Sequence, residues 1–276
     1  MVDLAVIMSI YHNDRLAFVK ESVQSILDQT FNQFHYYLIF DGPVSADIDD
    51  YITTLKDERL RVFRLENNGG LAGALNFLLE IVLKNSEYKI IARMDADDIS
   101  LPNRFEKQRN FLLKNQEISI VGCWYEEIDE LGNHLSFNRL PIGHEALRKR
   151  YFTRTPFAHP SVIYRRELIE IAGCYPTDTV LIEDNVLWGR ALSSCLKFAN
   201  IPEFLLQFRV DRNFYKRRSG FEYGWKYLKT KIATNRSIHA SLFSYLFLIG
   251  LGLLKMSPFI FNKAFYQFIR AQKTNQ

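Results

Sequence analysis

The chain of 276 residues, 47% hydrophobic and 24% charged, has the length for one large α/β domain plus an appendage, and its composition excludes disorder as the main state. Its three cysteines, Cys123, Cys174 and Cys195, show no CxxC or His-Cys spacing, which argues against a zinc site or a disulfide framework and fits a reducing cytoplasm. The net charge of +4 hides an asymmetry: residues 212–276 hold twelve Lys/Arg against the single acid Glu222, or +11, which leaves 23 basic against 30 acidic residues, or −7, in residues 1–211.

The first nine residues carry Asp3, lack a basic stretch and have too short an apolar run for a signal peptide, so they read as a buried strand. Short apolar runs then alternate with helical patterns, as βαβ units with a largely parallel sheet require. Strands are expected at 4–9, 36–40, 60–65, 90–94 and 119–124, and helices at 16–29, 46–55, 70–83 and 103–115. Asn13 and Asp14 are the expected caps of the first helix, whose Val19, Val23, Ile26 and Leu27 share a core face. Pro102 is expected in the first turn of the fourth helix, so that the chain turns into that helix directly after the acidic run before it. Residues 141–202 are less regular, with glycine and proline punctuation, and read as a second half of the same domain because no linker precedes them.

The most informative segment is Ile90-Ile-Ala-Arg93-Met-Asp95-Ala-Asp97-Asp98, three carboxylates at the carboxyl edge of an expected strand, where open α/β sheets bind ligands. Carboxylates this close repel unless a cation or a donor network compensates. Mg²⁺ or Mn²⁺, completed by phosphate oxygens, is one reading; an acidic turn capping the next helix is the other. Arg93 fits either a donor contact or a pair with one of these aspartates.

Several segments resemble, in order, the family 2 glycosyltransferases of bacterial capsule, exopolysaccharide and O-antigen synthesis: Ser9-Ile-Tyr11, Ser22-Val-Gln-Ser25-Ile-Leu-Asp-Gln29, Phe40-Asp41-Gly42, Asn68-Gly-Gly70-Leu-Ala-Gly-Ala-Leu-Asn76, Asp95-Ala-Asp97-Asp98, His159-Pro-Ser161 and Glu183-Asp184-Asn-Val-Leu-Trp188. The resemblance covers residues 4 to about 190 and continues more loosely to about 230. It implies the GT-A fold, a mixed and mostly parallel sheet flanked by helices over residues 1–211, and inverting transfer from a nucleotide-diphosphate sugar, UDP-sugars favoured. It assigns Asp41 to the N3–H of a pyrimidine, although the family usually shows two aspartates where this chain has Phe40-Asp41; an Asx-turn before Gly42-Pro43 is the lesser alternative. It places Asp97 on the metal and Asp95 beside the ribose and diphosphate, with Ser9, Tyr11, Asn68, Gly70, Asn76 and Arg93 on the donor side. The free N–H groups at Asn68-Gly69-Gly70 suit nucleotide oxygens or a plain helix cap. About ninety residues downstream, Asp184 takes the role of catalytic base and Glu183 that of a supporting acceptor contact, two surface acids at a helix start being the alternative; His159 and Trp188 suit the acceptor or phosphate side, or else a loop anchor beside Pro160 and a buried core indole.

Residues 212–276 form a helical, basic and aromatic extension. Eight basic residues from Arg212 to Arg236 are interleaved with Phe214, Tyr215, Phe221, Tyr223, Trp225 and Tyr227, and an apolar run follows at 242–254 that is too short to span a bilayer of roughly 30 Å. This suits peripheral attachment to the anionic inner face of the cell membrane, where a lipid-linked saccharide acceptor would lie. Arg217 and Arg218 suit either that surface or the donor diphosphate. A helical cover or homodimer contact is the alternative, and no nucleic-acid motif accompanies the basic residues. Two further functional readings compete: a sugar-nucleotide-binding scaffold without turnover, and an aspartate-based phosphotransferase or nucleotidyltransferase. The second leaves Glu183-Asp184 unexplained.

Overall fold

The computed structural model describes residues 2–179, 181–262 and 264. The last part of the basic extension, residue 263 and residues 265–276, lies outside them. In chain order the first half contains β1 (Leu4–Tyr11), α1 (Leu16–Leu27), β2 (Phe34–Asp41), α2 (Ala46–Thr54), β3 (Leu60–Arg64), α3 (Gly70–Lys84), β4 (Ile90–Asp95), β5 (Ile99–Ser100), α4 (Arg104–Lys114) and β6 (Ile118–Ile128). The second half contains β7 (His134–Asn138), α5 (His144–Tyr151), a 3-10 turn (His159–Ser161), β8 (Ile163–Arg165), α6 (Glu167–Ala172), α7 (Glu183–Ser193) and β9 (Lys197–Arg209). The extension forms α8 (Phe214–Arg217), α9 (Phe221–Ser237) and α10 (Leu242–Met256).

Among the described residues the strands make one mixed sheet in the order β3-β2-β1-β4-β8-β6-β9-β5, with β7 paired to β6. β1 through β4 run parallel, β8 is antiparallel to both β4 and β6, and β9 runs parallel to β6. Alternation along β1 divides the core. Leu4, Val6, Met8 and Ile10 face the layer containing α1, α2 and α4, while Ala5 and Ile7 face the layer containing α3, α5, α6 and α7. A side chain buried in these layers gains roughly 1.5–3 kcal/mol over its exposed state. α3 forms because Ala72, Leu75, Leu78, Leu79 and Val82 fall on one buried stripe at helical spacing.

Three local expectations are corrected. Asp14 does not cap α1: the N-cap is Arg15, without a side-chain bond, and Asp14 Oδ2 instead accepts from Tyr11 N at 2.9 Å. The chain after Asp98 does not enter a helix directly; β5 intervenes and pairs antiparallel with β9. Pro102 therefore precedes α4, whose first residue is Arg104. The cause is α1, where Ser25 Oγ accepts from Ser100 N at 3.0 Å and Gln29 Nε2 donates to Ser100 Oγ and Leu101 O, holding this segment extended.

Candidate active site

The parallel register gathers the first group of site residues. Ser9 stands opposite Asp95 and Tyr11 opposite Asp41, so the carboxyl ends of β1, β2 and β4 present these four together. Asp41 is buried, and its Oδ1 accepts from Gly69 N at 2.7 Å, while its carbonyl accepts from Asn68 Nδ2 at 3.0 Å. Gly42 permits this closure because it adopts φ +79° and a Cβ there would lie 2.7 Å from Asn68 N. The N–H groups of Gly69 and Gly70 are thus taken, the first by Asp41 and the second by Asn68 Oδ1 at 3.2 Å. Asn76 is spent on a two-way clamp: its amide donates to Tyr175 O at 2.8 Å and accepts from Tyr175 N at 2.9 Å.

Asp95, Asp97 and Asp98 bring carboxylate oxygens within 4.8 Å of one another. Burial, with the Asp95 charge second, pushes the Asp97 carboxyl up to about 7. Burial and the neighbouring Asp97 raise Asp98 well above its ordinary value. Asp98 Oδ1 accepts from Arg209 N at 2.7 Å, yet its buried Oδ2 has no partner among the described residues. Arg93 is buried and pairs with Asp95, while Ser22 Oγ donates to the Asp95 carbonyl at 2.6 Å. Arg209, at the end of β9, donates from Nε to Asp97 O at 2.8 Å and pairs through Nη2 with Glu21. The motif serines of α1 and the lone arginine closing β9 therefore position the acidic turn. Asp14 joins its rim, where burial lifts its carboxyl to about 8. None of these supports was singled out as a site residue from the sequence. The available signal was a charged side chain ending the apolar run Phe204-Leu-Leu-Gln-Phe-Arg209, since a buried arginine needs carboxylate or carbonyl partners.

The second group opens α7. Glu183 is buried and its Oε2 accepts from Ile182 N at 2.9 Å, which caps the helix from within. Burial, then the Glu183 charge, raises Asp184 to about 6. Leu181 enters the helix at φ 61°, a conformation that costs roughly 1–3 kcal/mol and is characteristic of functional turns. The Arg93 guanidinium acts on both groups, favouring the charged forms of Asp97 and Asp98 on one side and of Glu183 and Asp184 on the other. His159 and Trp188 are packed beneath: His159 Nε2 meets Tyr175 Oη at 3.0 Å and its ring lies 6.1 Å from the indole. Burial holds His159 well below the ordinary imidazole range, so it is neutral.

The first turn of the extension reaches the same edge. Arg217 pairs with Asp211 at 2.6 Å and favours the charged forms of Tyr11 and Asp14. Arg218 stacks over Phe214 at 4.1 Å and favours the charged forms of Glu183 and Asp184, with its buried Nη1 unpartnered among the described residues. Two cations thus stand beside two carboxylate groups.

The family model described as glycosyl transferase family 2 matches residues 5–171. The amylovoran biosynthesis glycosyltransferase AmsE of Erwinia amylovora is 32% identical over 84% of this chain and 84% of its own. A UDP-Gal:alpha-D-GlcNAc-diphosphoundecaprenol beta-1,3-galactosyltransferase of Escherichia coli is 31% identical over 86% of this chain and 85% of its own. Among solved structures, residues 1–349 of S. aureus TarS in complex with UDP-GlcNAc share the fold, with a TM-score of 0.60 at 15% identity over 85% of this chain and 70% of that one.

Proposed function

This chain belongs to glycosyl transferase family 2 and is a glycosyltransferase with relatives in bacterial polysaccharide synthesis, and on that premise we propose that it moves a sugar, with inversion, from a UDP-sugar to a hydroxyl of a lipid-linked saccharide. The observation that carries the reading is the pairing of two carboxylate groups, Asp95-Asp97-Asp98 and Glu183-Asp184, around one buried Arg93 that favours the charged forms of Asp97, Asp98, Glu183 and Asp184. The relative named for UDP-Gal and a diphosphoundecaprenol acceptor supports the choice of donor and of a lipid-linked acceptor.

Asp184, raised to about 6, is ionised at neutral pH and accepts the proton of the acceptor hydroxyl as that oxygen attacks the anomeric carbon. Glu183 orients the acceptor from the same helix start. Asp41 and Tyr11 border the base and ribose, and Arg217 and Arg218 face the diphosphate as it takes up charge. The acidic turn fits a divalent cation: three carboxylates converge, Asp97 is pushed up to about 7 by burial and by Asp95, and Asp98 Oδ2 is left buried without a partner among the described residues. Asp97, supported by Asp95, would hold Mn²⁺ or Mg²⁺, which supplies positive charge against the departing UDP. Transfer takes place at the anionic inner face of the membrane, where the acceptor is anchored.

The test is Asp184→Asn. It retains UDP affinity and loses transfer by roughly 10²–10⁴-fold, the range for removal of a general base. Transfer within a few-fold of the parent would remove Asp184 from that role.

A further inference from the structure

α10 is a helix with inverted polarity. Its buried face carries Ser244, Leu248, Gly252 and Lys255, whereas Leu242, Phe243, Leu246, Phe247, Ile249 and Leu253 are 44–82% exposed. Phe259, Ile260 and Phe261 extend this apolar surface at 44–63% exposure. A helix of a water-soluble surface turns the other way, apolar side inward. α10 cannot roll to correct this, because close contacts fix it on α9. A Cβ on Gly224 would lie 2.6 Å from Met256, one on Gly252 would lie 3.2 Å from Leu228, and the Lys255 ammonium sits 4.8 Å from the Tyr227 ring centre.

α9 supplies the charge beside that surface. It exposes Trp225, Lys226, Lys229 and Arg236, and its one acid, Glu222, is bonded to Lys226 at 2.9 Å. A helix of 15 residues is about 22 Å long, short of a hydrocarbon core of roughly 30 Å. No helix among the described residues is long and apolar enough to cross a membrane.

We propose that α10 lies flat in an anionic lipid leaflet with its Leu/Phe/Ile face in the acyl boundary, while Lys226, Lys229 and Arg236 of α9 meet the headgroups. The proposal deepens the membrane reading above and rests on it. Charge decides the occupant: a second copy seated on this face would bring its own exposed Lys226, Lys229 and Arg236 toward the same three cations, whereas anionic lipid compensates them. It also divides the basic residues by task, because Arg217 and Arg218 face the carboxylates and leave lipid contact to α9. The docked pair is tied to the catalytic helix, since Lys231 of α9 donates to Asn185 Oδ1 of α7 at 3.0 Å and to the Tyr151 carbonyl.

The experiment is co-sedimentation of the full chain with vesicles of phosphatidylglycerol and phosphatidylcholine, alongside Phe243→Ser/Leu246→Ser/Leu253→Ser and Lys226→Gln/Lys229→Gln/Arg236→Gln. Both variants change exposed side chains only. The serine variant loses partitioning by roughly tenfold or more, and the glutamine variant loses the preference for phosphatidylglycerol and its sensitivity to salt. Partitioning of the serine variant equal to the parent, or a parent that dimerises through these residues and ignores vesicles, overturns the proposal. The same preparations are titrated with UDP and Mn²⁺. Nucleotide binding without vesicle binding defeats this inference alone, and vesicle binding without nucleotide binding defeats the donor assignment alone.

Discussion

As the proposed base, Asp184 carries two opposed demands, because a base must be ionised to work and burial resists its ionisation. Its carboxyl moves from an ordinary 3.8 to about 6, with burial the larger cause and Glu183 the second. The folded state therefore holds the proton more tightly than the unfolded chain. That contribution to stability is complete below about 3.8 and is lost as pH rises through about 6. Two results follow. The rate of transfer rises with pH through about 6 as the base is freed, measurable as the ascending limb of a pH–rate profile. Asp184→Asn, which cannot ionise, unfolds at a higher temperature than the parent at pH 7, and the gap closes toward pH 4 in scanning calorimetry. A flat profile, or a variant less stable at pH 7, would contradict this. The sequence already pointed to Asp184 through its motif, but its burial, which sets its titration, depends on packing of α7 that no local pattern encodes. Arg209 was illegible for the same reason: it lies 111 residues from the Asp98 oxygen its backbone meets.

The first-half strands and helices are readable because short continuous apolar runs, the mark of strands buried on both faces, take turns there with period-3.6 patterns, and β1 to β4 fall on those runs. The second half was harder. β8 has three residues and enters the sheet antiparallel between β4 and β6, an arrangement that depends on partners distant in the chain. α9 shows how an element's role can oppose its composition. Its sequence is basic, yet Lys231 is fully buried, with burial lowering its ammonium to about 7, and it donates to Tyr151 O and Asn185 Oδ1. Asn235 adds a bond to Phe152 O at 2.8 Å. Lys231→Met keeps the length of the side chain but strands two buried acceptors, at a cost of about 1–3 kcal/mol. Urea unfolding is expected to show that loss together with reduced transfer, because the same contact braces the residue after Asp184. Unchanged stability would mean that water replaces the ammonium.

Across the whole molecule the charge asymmetry becomes a division of labour. The acidic body of −7 sets Asp14, Asp95, Asp97, Asp98, Glu183 and Asp184 at one sheet edge, and the basic extension of +11 lends that edge Arg217 and Arg218 while turning the apolar face of α10 outward. The sheet edge was legible from the order of motifs, whereas the inverted face of α10 was visible in the sequence only as an apolar run. Its direction depends on glycine contacts between two helices. The central claim is that this edge is a metal-assisted site for a uridine diphosphate donor. Calorimetric titration of the purified chain with UDP, with and without Mn²⁺, tests it most directly when repeated on Asp97→Ala. The account predicts binding that weakens by roughly tenfold or more both without the ion and in the variant. Equal affinity in all of these conditions, or no binding in any, would contradict it.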